Sequence, residues 1–166
     1  MAEIPLTQNK TAIIDDCDLI EIGKHKWCAG CYDGKWYAVR GTYNNGVKRN
    51  VFMHRQLTSA IKGQQVDHKD GNGLNNSRDN LRFSTQQQNV FNQRPTGKGT
   101  SKYKGVSWDK SSNSWYSAIK FNGKSRNLGH YKNETDAAIA YDSAAIKFFG
   151  EFARPNISQR VQVIYG

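Results

Sequence analysis

The chain has 166 residues, enough for one domain or two small ones. Lys and Arg number 24 against 14 Asp and Glu, a formal charge of +10 with a pI near 9.6, and a 37% hydrophobic share allows only a small core. No apolar run approaches the ~18 residues of a membrane span, and the opening MAEIPLTQNK lacks a secretory apolar stretch, so a membrane protein, a secreted protein and a neutral enzyme without an acidic ligand are poor fits.

The basic excess is spread along the chain: 14 Lys/Arg against 9 Asp/Glu through residue 100, and 9 against 5 over 101–156. Both halves being basic points to one extended polyanion contacted twice, and nucleic acid is the commonest such partner. Cys17, Cys28 and Cys31 are an odd set in the first fifth of the chain, which fits a reducing compartment better than a disulfide framework. Cys28 and Cys31 with His25 would offer zinc three ligands; a structural site wants four, and no second cysteine pair exists. Ordinary thiols are the expectation.

In chain order, short β-segments are expected at Thr11–Ile14, Trp36–Arg40 and Asn50–His54, with hairpin turns at Asp33-Gly34 and Asn44-Asn45-Gly46. Gln64–His68 reads as a strand end. The polar loop Lys69–Asn80 follows, then a strand at Leu81–Ser84 and a helix opened by Thr85 as N-cap with Gln88 at its third position. Asn92–Ser101 holds one Pro, two Gly and no apolar residue, and marks a linker and a domain boundary. Beyond it, strands near Lys104–Trp108, Ser114–Phe121 and Ser125–Tyr131 are separated by Lys110–Asn113 and Asn122-Gly123. Asn133 then caps a helix, with Asp136 favouring its positive end. Ala137, Ala140, Tyr141, Ala144, Ala145 and Phe148 give that helix a small apolar face, and Gly150 is its stop. The expected class is α+β: a β-rich N-terminal region with a strand–loop–strand–helix unit, then a small three-stranded antiparallel sheet packed on one helix.

The chemistry gathers at Asp67, His68, Asn80 and Asn89. A phosphodiester is cleaved by a base-activated water, with a cation neutralising the phosphorane and the departing oxygen. Histidine suits the base because its pKa lies near neutral pH. A hard divalent ion takes oxygen from Asp and from the Asn amide, and magnesium also keeps waters and a phosphate oxygen. Neighbouring strand residues face opposite ways, so Asp67 and His68 serve the metal and water sides if the strand ends there, as the glycine-bearing loop implies. Any one of these residues is more often structural; order and spacing together give the set its weight. His54 reads as a packing or phosphate-binding residue. Arg55, Arg78 and Arg82 read as phosphate contacts, with a solvated face as the alternative.

On Met53-His54-Arg55, Val66-Asp67-His68-Lys69-Asp70-Gly71, Asn75-Asn76, Asp79-Asn80-Leu81-Arg82 and Gln88-Asn89, residues 51–94 resemble the HNH nucleases. Their site is a ββα-metal finger, and the branch resembled is the phage and intron homing-endonuclease one. The resemblance implies that His68 is the general base and that Asp67 binds metal. It makes Asn80 a structural residue that pins the loop and helps orient the base. Asn89 falls where many members have His; homing members carry Asn there, which implies one divalent cation, Mg2+ or Mn2+, and not zinc.

Residues 102–156 resemble the APETALA/ethylene-response-factor type of DNA-binding domain. The carrying words are Tyr103-Lys104-Gly105-Val106, Trp115–Ile119, Leu128-Gly129, Asp136-Ala137-Ala138, Ala140-Tyr141-Asp142, Gly150 and Asn156. That family lays its sheet in the major groove, which admits a β-structure. Alternation then turns Val106, Trp115, Ser117, Ile119 and Leu128 to the helix. Lys104, Ser107, Tyr116, Lys120, Ser125 and Asn127 face DNA, with Trp108 and Lys110 near the first turn. Ser107, Ser125 and Asn127 stand where plant members carry Arg or Trp, so no target sequence transfers.

The organisation expected is a β-rich region 1–50, an HNH finger 51–94, a linker 95–101, a DNA-binding domain 102–157 and a tail 158–166. The whole would be a metal-dependent homing endonuclease hydrolysing double-stranded DNA as a monomer, with no membrane or small-molecule partner. Its place would be the cytoplasm of a bacterial or phage-infected cell. The rivals are a catalytically inactive DNA-binding regulator and a structure-selective nuclease without a fixed target. Residues 1–50, with Trp27, Trp36 and Tyr37, brace a finger too small to hold a core alone, direct DNA contact being the alternative.

Overall fold

The structure is a computed structural model, and it describes residues 1–93 and 99–157. Residues 95–98 of the expected linker and the tail 158–166 lie outside the described residues. The chain forms two compact units, Met1–Gln87 and Gln88–Gly166. Together they give an α+β protein with several small antiparallel sheets, as the patterning predicts.

The first unit opens with an antiparallel pair, β1 (Ala2–Pro5) and β2 (Thr11–Ile14). A single helical turn, α1 (Leu19–Ile22), leads to a sheet of β3 (Cys28–Tyr32), β4 (Lys35–Asn44) and β5 (Val47–Phe52), in that order. Asp33-Gly34 and Asn45-Gly46 both take positive φ at each residue. This backbone twist matches that of the flanking strands and makes these dipeptides tight hairpin turns. The strand expected to run through His54 instead ends at Phe52, and α2 (Met53–Leu57) begins. The chain turns there because Met53 enters the core at 0% exposure and the helix buries His54 beside it.

That core joins Ile4, Ala12, Ile14, Ile22, Trp27, Ala38 and Met53, of which Met53 alone comes from the segment 51–94. The finger strands β6 (Gln65–His68) and β7 (Leu81–Ser84) pair antiparallel, Asp67 opposite Arg82 and His68 opposite Leu81. Their connecting loop is stitched to β2, where Ile13 N donates to Leu74 O at 2.9 Å and Asn76 N donates to Ile13 O at 2.7 Å. Arg78 extends the stitching, its guanidinium gripping Asp18 at 2.6 and 2.9 Å. Helix α3 (Gln86–Phe91) follows, and the division between the two units falls inside it.

The second unit is a sheet ordered β10-β9-β8, from β8 (Val106–Asp109), β9 (Ser114–Phe121) and β10 (Lys124–Tyr131), with α4 (Glu134–Phe149) across one face. Ile119, Tyr141, Ala145 and Phe149 pack as one cluster, and Val106, Ala137 and Ala138 as another. The alanines, at most 1% exposed, let helix and sheet approach closely. β8 starts two residues later than expected because Gly105 takes φ +74°, which puts Lys104 in a turn. Asn133 does precede the helix, but its amide donates to the Asp136 carboxylate at 3.0 Å and makes no side-chain cap on the backbone.

Candidate active site

β6 ends at His68 because the chain turns there: Gly71 N donates to His68 O at 2.8 Å, and Lys69 N donates to Asn80 O at 2.9 Å. His68 is 5% exposed. Its Nε2 lies 3.3 Å from Asn76 Oδ1, while Asn76 Nδ2 donates to Leu74 O at 3.1 Å and so holds the amide oxygen toward the ring. An amide oxygen only accepts, so Nε2 carries the hydrogen and the neutral imidazole has its lone pair on Nδ1. Burial holds the His68 pKa below the ordinary histidine value, against the Asn76 bond and the charges of Asp70 and Asp67. The ring is therefore neutral at pH 7 and able to take a proton.

Two aromatic rings meet that imidazole in the same unit. His54 meets it edge-on with centroids 5.0 Å apart, and Tyr37 lies 6.0 Å away. Tyr37 and Phe52 pack on His54 in turn, at 5.7 and 5.4 Å. Burial drives the His54 pKa down to about 3, with the neighbouring His68 and Arg55 adding to the effect. Its Nδ1 is buried without a hydrogen-bond partner among the described residues. Gly73 lets the loop pass against β4, since a Cβ there would collide with Trp36 O and the Tyr37 ring.

Asp67 faces away from His68, as strand alternation requires. Arg82 Nε and Nη2 both donate to its Oδ2, at 3.1 and 2.9 Å, and both side chains are about nine-tenths buried. Asn80 pins the loop: Nδ2 donates to Asp70 Oδ1 at 3.0 Å and to Asn75 O at 2.7 Å, and Oδ1 accepts from Asp70 N at 3.0 Å. Asn76 hydrogen-bonds the His68 ring, a contact beyond the residues singled out from the sequence. Its signal in the sequence was the Asn75-Asn76 pair, whose two members look alike until the loop is folded. Asn89 is half-buried on α3.

Of the arginines read as phosphate contacts, Arg82 holds Asp67 and Arg78 holds Asp18. Arg55 donates to the carbonyls of Gln64, Ala60 and Ile61 at 2.6, 3.3 and 2.8 Å. Asp67 and Asn89 carry oxygen ligands of the kind that suits an ion that keeps waters. Among the described residues no group of three or more His, Cys, Asp or Glu is gathered as a zinc site would need, and Cys17, Cys28 and Cys31 are exposed thiols.

On the second unit's sheet, Ser107, Lys120, Ser125 and Asn127 are exposed and Tyr116 is half-buried. The pairs Ser107–Tyr116 and Lys120–Ser125 share the face away from α4, and Lys110 is exposed in the first turn. Trp108 pairs with Trp115, at 5.1 Å between ring centroids, on the helix side. Lys104 is turned elsewhere: Nζ donates to the carbonyls of Val90, Phe91 and Gln93 at 3.0, 2.8 and 3.1 Å, and burial lowers its pKa to about 8.

Residues 61–91 match a family model described as HNH endonuclease. An uncharacterised HNH endonuclease of Acanthamoeba polyphaga mimivirus is 37% identical over 142 residues, 81% of this chain and 68% of that protein. Protein 3.8 of Escherichia phage T7 is 39% identical over 67 residues, 40% of this chain and 55% of that protein.

Proposed function

We propose, from the premise that this chain belongs to the HNH endonuclease family of DNA phosphodiester hydrolases, that it is a metal-dependent homing endonuclease in which His68 activates the attacking water. The observation that carries this reading is the bond between His68 and Asn76, which directs a neutral, buried imidazole to accept a proton at Nδ1. As the water loses its proton to Nδ1, its oxygen bonds to phosphorus and the bond from phosphorus to the leaving oxygen breaks. The ends would be 5′-phosphate and 3′-hydroxyl.

A bound divalent cation supplies charge neutralisation at the phosphorane and the departing oxygen. Asp67 and Asn89 would hold it, as Mg2+ or Mn2+. Arg82 fixes the Asp67 side chain through two bonds to one carboxylate oxygen. Asn80 and Asn76 keep the loop, and so His68, in place before DNA arrives.

The second unit is a DNA-binding domain of the APETALA/ethylene-response-factor type, its sheet face carrying Ser107, Tyr116, Lys120, Ser125 and Asn127 with Lys110 in the turn. An exposed polar face with a small-residue core behind it supports this role. Trp108 and Lys104 stand outside that face, one on the helix side and one on the α3 carbonyls. One site per chain cuts one strand per binding event, so a monomer nicks.

The test is supercoiled plasmid with Mg2+ or Mn2+, beside EDTA and His68→Ala controls. Nicking that needs metal and vanishes in the variant is the expected result. Tight binding without cutting in either metal, on DNA that includes candidate host sites, would make the protein a regulator with an inactive finger.

A further inference from the structure

We propose that the outer half of the β4–β5 hairpin is a DNA-contacting ribbon, laid along the duplex beside the phosphate that is cut. The inference rests on the reading of His68 as the cutting centre and adds a surface to it.

β3 pairs with β4 only as far as Val39. Beyond that point Arg40–Asn44 pairs with Val47–Val51 alone, closed by the Asn45-Gly46 turn. A two-stranded ribbon is marginally stable in water by itself, and this one buries little: every residue from Tyr43 to Asn50 is exposed. Tyr43 is 72% exposed and Val47 57%. Lysine on a strand edge can serve merely to block unwanted strand pairing. That need does not account for a tyrosine held out in solvent next to it.

Charge identifies the partner. Between Asp33 and Asp67 the chain has no acidic residue, but it has Lys35, Arg40, Lys48, Arg49, Arg55 and Lys62. The ribbon's own basic residues are Arg40, Lys48 and Arg49, with no acid to offset them. Such a local field suits a phosphate backbone. The major groove admits a two-stranded β-ribbon, and tyrosine and lysine are ordinary phosphate donors.

Register ties the ribbon to the site. On β4, alternation puts Tyr37, Val39, Gly41 and Tyr43 on one face. The pairs Val39–Phe52, Gly41–Asn50 and Tyr43–Lys48 place Phe52, Asn50 and Lys48 on that same face of β5. Its root is the aromatic wall already described, where Tyr37 meets His68 and Phe52 meets His54. Its outer end carries Tyr43 and Lys48. Gly41 keeps the face low, since a Cβ there would come within 3.3 Å of Lys48 Cε. Four residues separate Phe52 from Lys48, about 14 Å at about 3.4 Å each. Along one DNA strand that is about four nucleotides.

The experiment uses the full chain, a 40-base-pair random-sequence duplex and supercoiled plasmid. Binding of Lys48→Ala and of the double variant Tyr43→Ala/Lys48→Ala is titrated across salt, beside Lys24→Ala, an exposed lysine paired with Glu21 in the same unit. Lys48→Ala should weaken Kd about fivefold and lower the slope of log K on log salt by about one, with a larger loss in the double variant. Lys24→Ala should leave the slope at the wild-type value. Hydroxyl-radical footprinting should show the double variant losing protection about four nucleotides from the nick. Thermal melting checks that the variants remain folded. Wild-type Kd and slope in both ribbon variants, or an equal fall in Lys24→Ala, would overturn the proposal. If wild-type protein fails to nick plasmid, the nuclease reading falls, while the binding comparison still decides the ribbon.

Discussion

Asn76 is fully buried and presents its amide oxygen to His68. The outer partner of a metal-ligating histidine is worth about 10-fold to 100-fold in activity, and a histidine base oriented by one bond is expected to follow the same order. Asn76→Ala should therefore slow nicking at saturating DNA by at least about tenfold. Nitrogen-15 spectra of the imidazole should show His68 losing its single Nε2–H tautomer. A purely structural Asn76 would leave the tautomer unmoved. His54 gives a second prediction, this one on pH. Its folded pKa of about 3 lies below the ordinary 6.5, so the unfolded chain binds the extra proton between those values. Stability is complete above pH 6.5 and falls as the pH drops toward 3, by up to about 1.4 kcal/mol per pH unit. Urea titrations at pH 7 and pH 5 should show that loss, and it should shrink in His54→Phe. Order and spacing single out Asp67, His68, Asn80 and Asn89, and of these the fold puts His68 and Asn80 at the two ends of one pinned loop. Which asparagine bonds the His68 ring is not legible in the sequence, because Asn76 and Asn80 differ only in how the loop closes. Nor does spacing distinguish an arginine awaiting phosphate from Arg82, whose partner Asp67 is fixed by strand register.

Elements were most legible where turn chemistry and alternation agreed. β2, β7 and β9 fall at Thr11–Ile14, Leu81–Ser84 and Ser114–Phe121, the ranges expected. Asn122-Gly123 closes β9 onto β10 with positive φ at both positions, as Asn-Gly turns do. The differences came from tertiary demands. Met53 is drawn into a core assembled from distant strands, which ends β5 early. Gly105 is bent to a positive φ directly under the Tyr141 ring, where a Cβ would collide with ring carbons. Gly105→Ala should thus cost the second unit at least about 2 kcal/mol, from left-handed strain and the clash together. Thermal melting followed by tryptophan fluorescence would read it. The C-terminal return is held by an equally specific arrangement. Buried Asp142 on α4 accepts from Asn156 N at 2.8 Å, Asn156 Nδ2 at 3.0 Å and Ile157 N at 2.9 Å. Burial nevertheless raises its pKa above the usual carboxylate value.

At the scale of the molecule, a +10 charge shared by both halves is a statement about affinity for phosphate. The C-terminal sheet face predicts how that affinity is divided. Lys120→Ala should weaken binding nearly uniformly across sequences and reduce the salt slope by about one, as loss of a single phosphate contact does. Loss of cutting at saturating protein would instead mean that Lys120 takes part in the chemistry.

The stitching of the finger loop to β2 also bears on how such a protein can be taken apart. The recognisable words of the finger begin near residue 51, yet its loop leans on Ile13 through both backbone groups, and Arg78 leans on Asp15 and Asp18. A fragment cut at residue 51 would carry the signature and lack its support. It would leave the loop amide of Asn76 without its acceptor, and the tautomer of His68 without a fixed neighbour. What can be transplanted between proteins is therefore the chain from Met1 through the end of α3 at Phe91, which keeps both the support of the loop and Asn89.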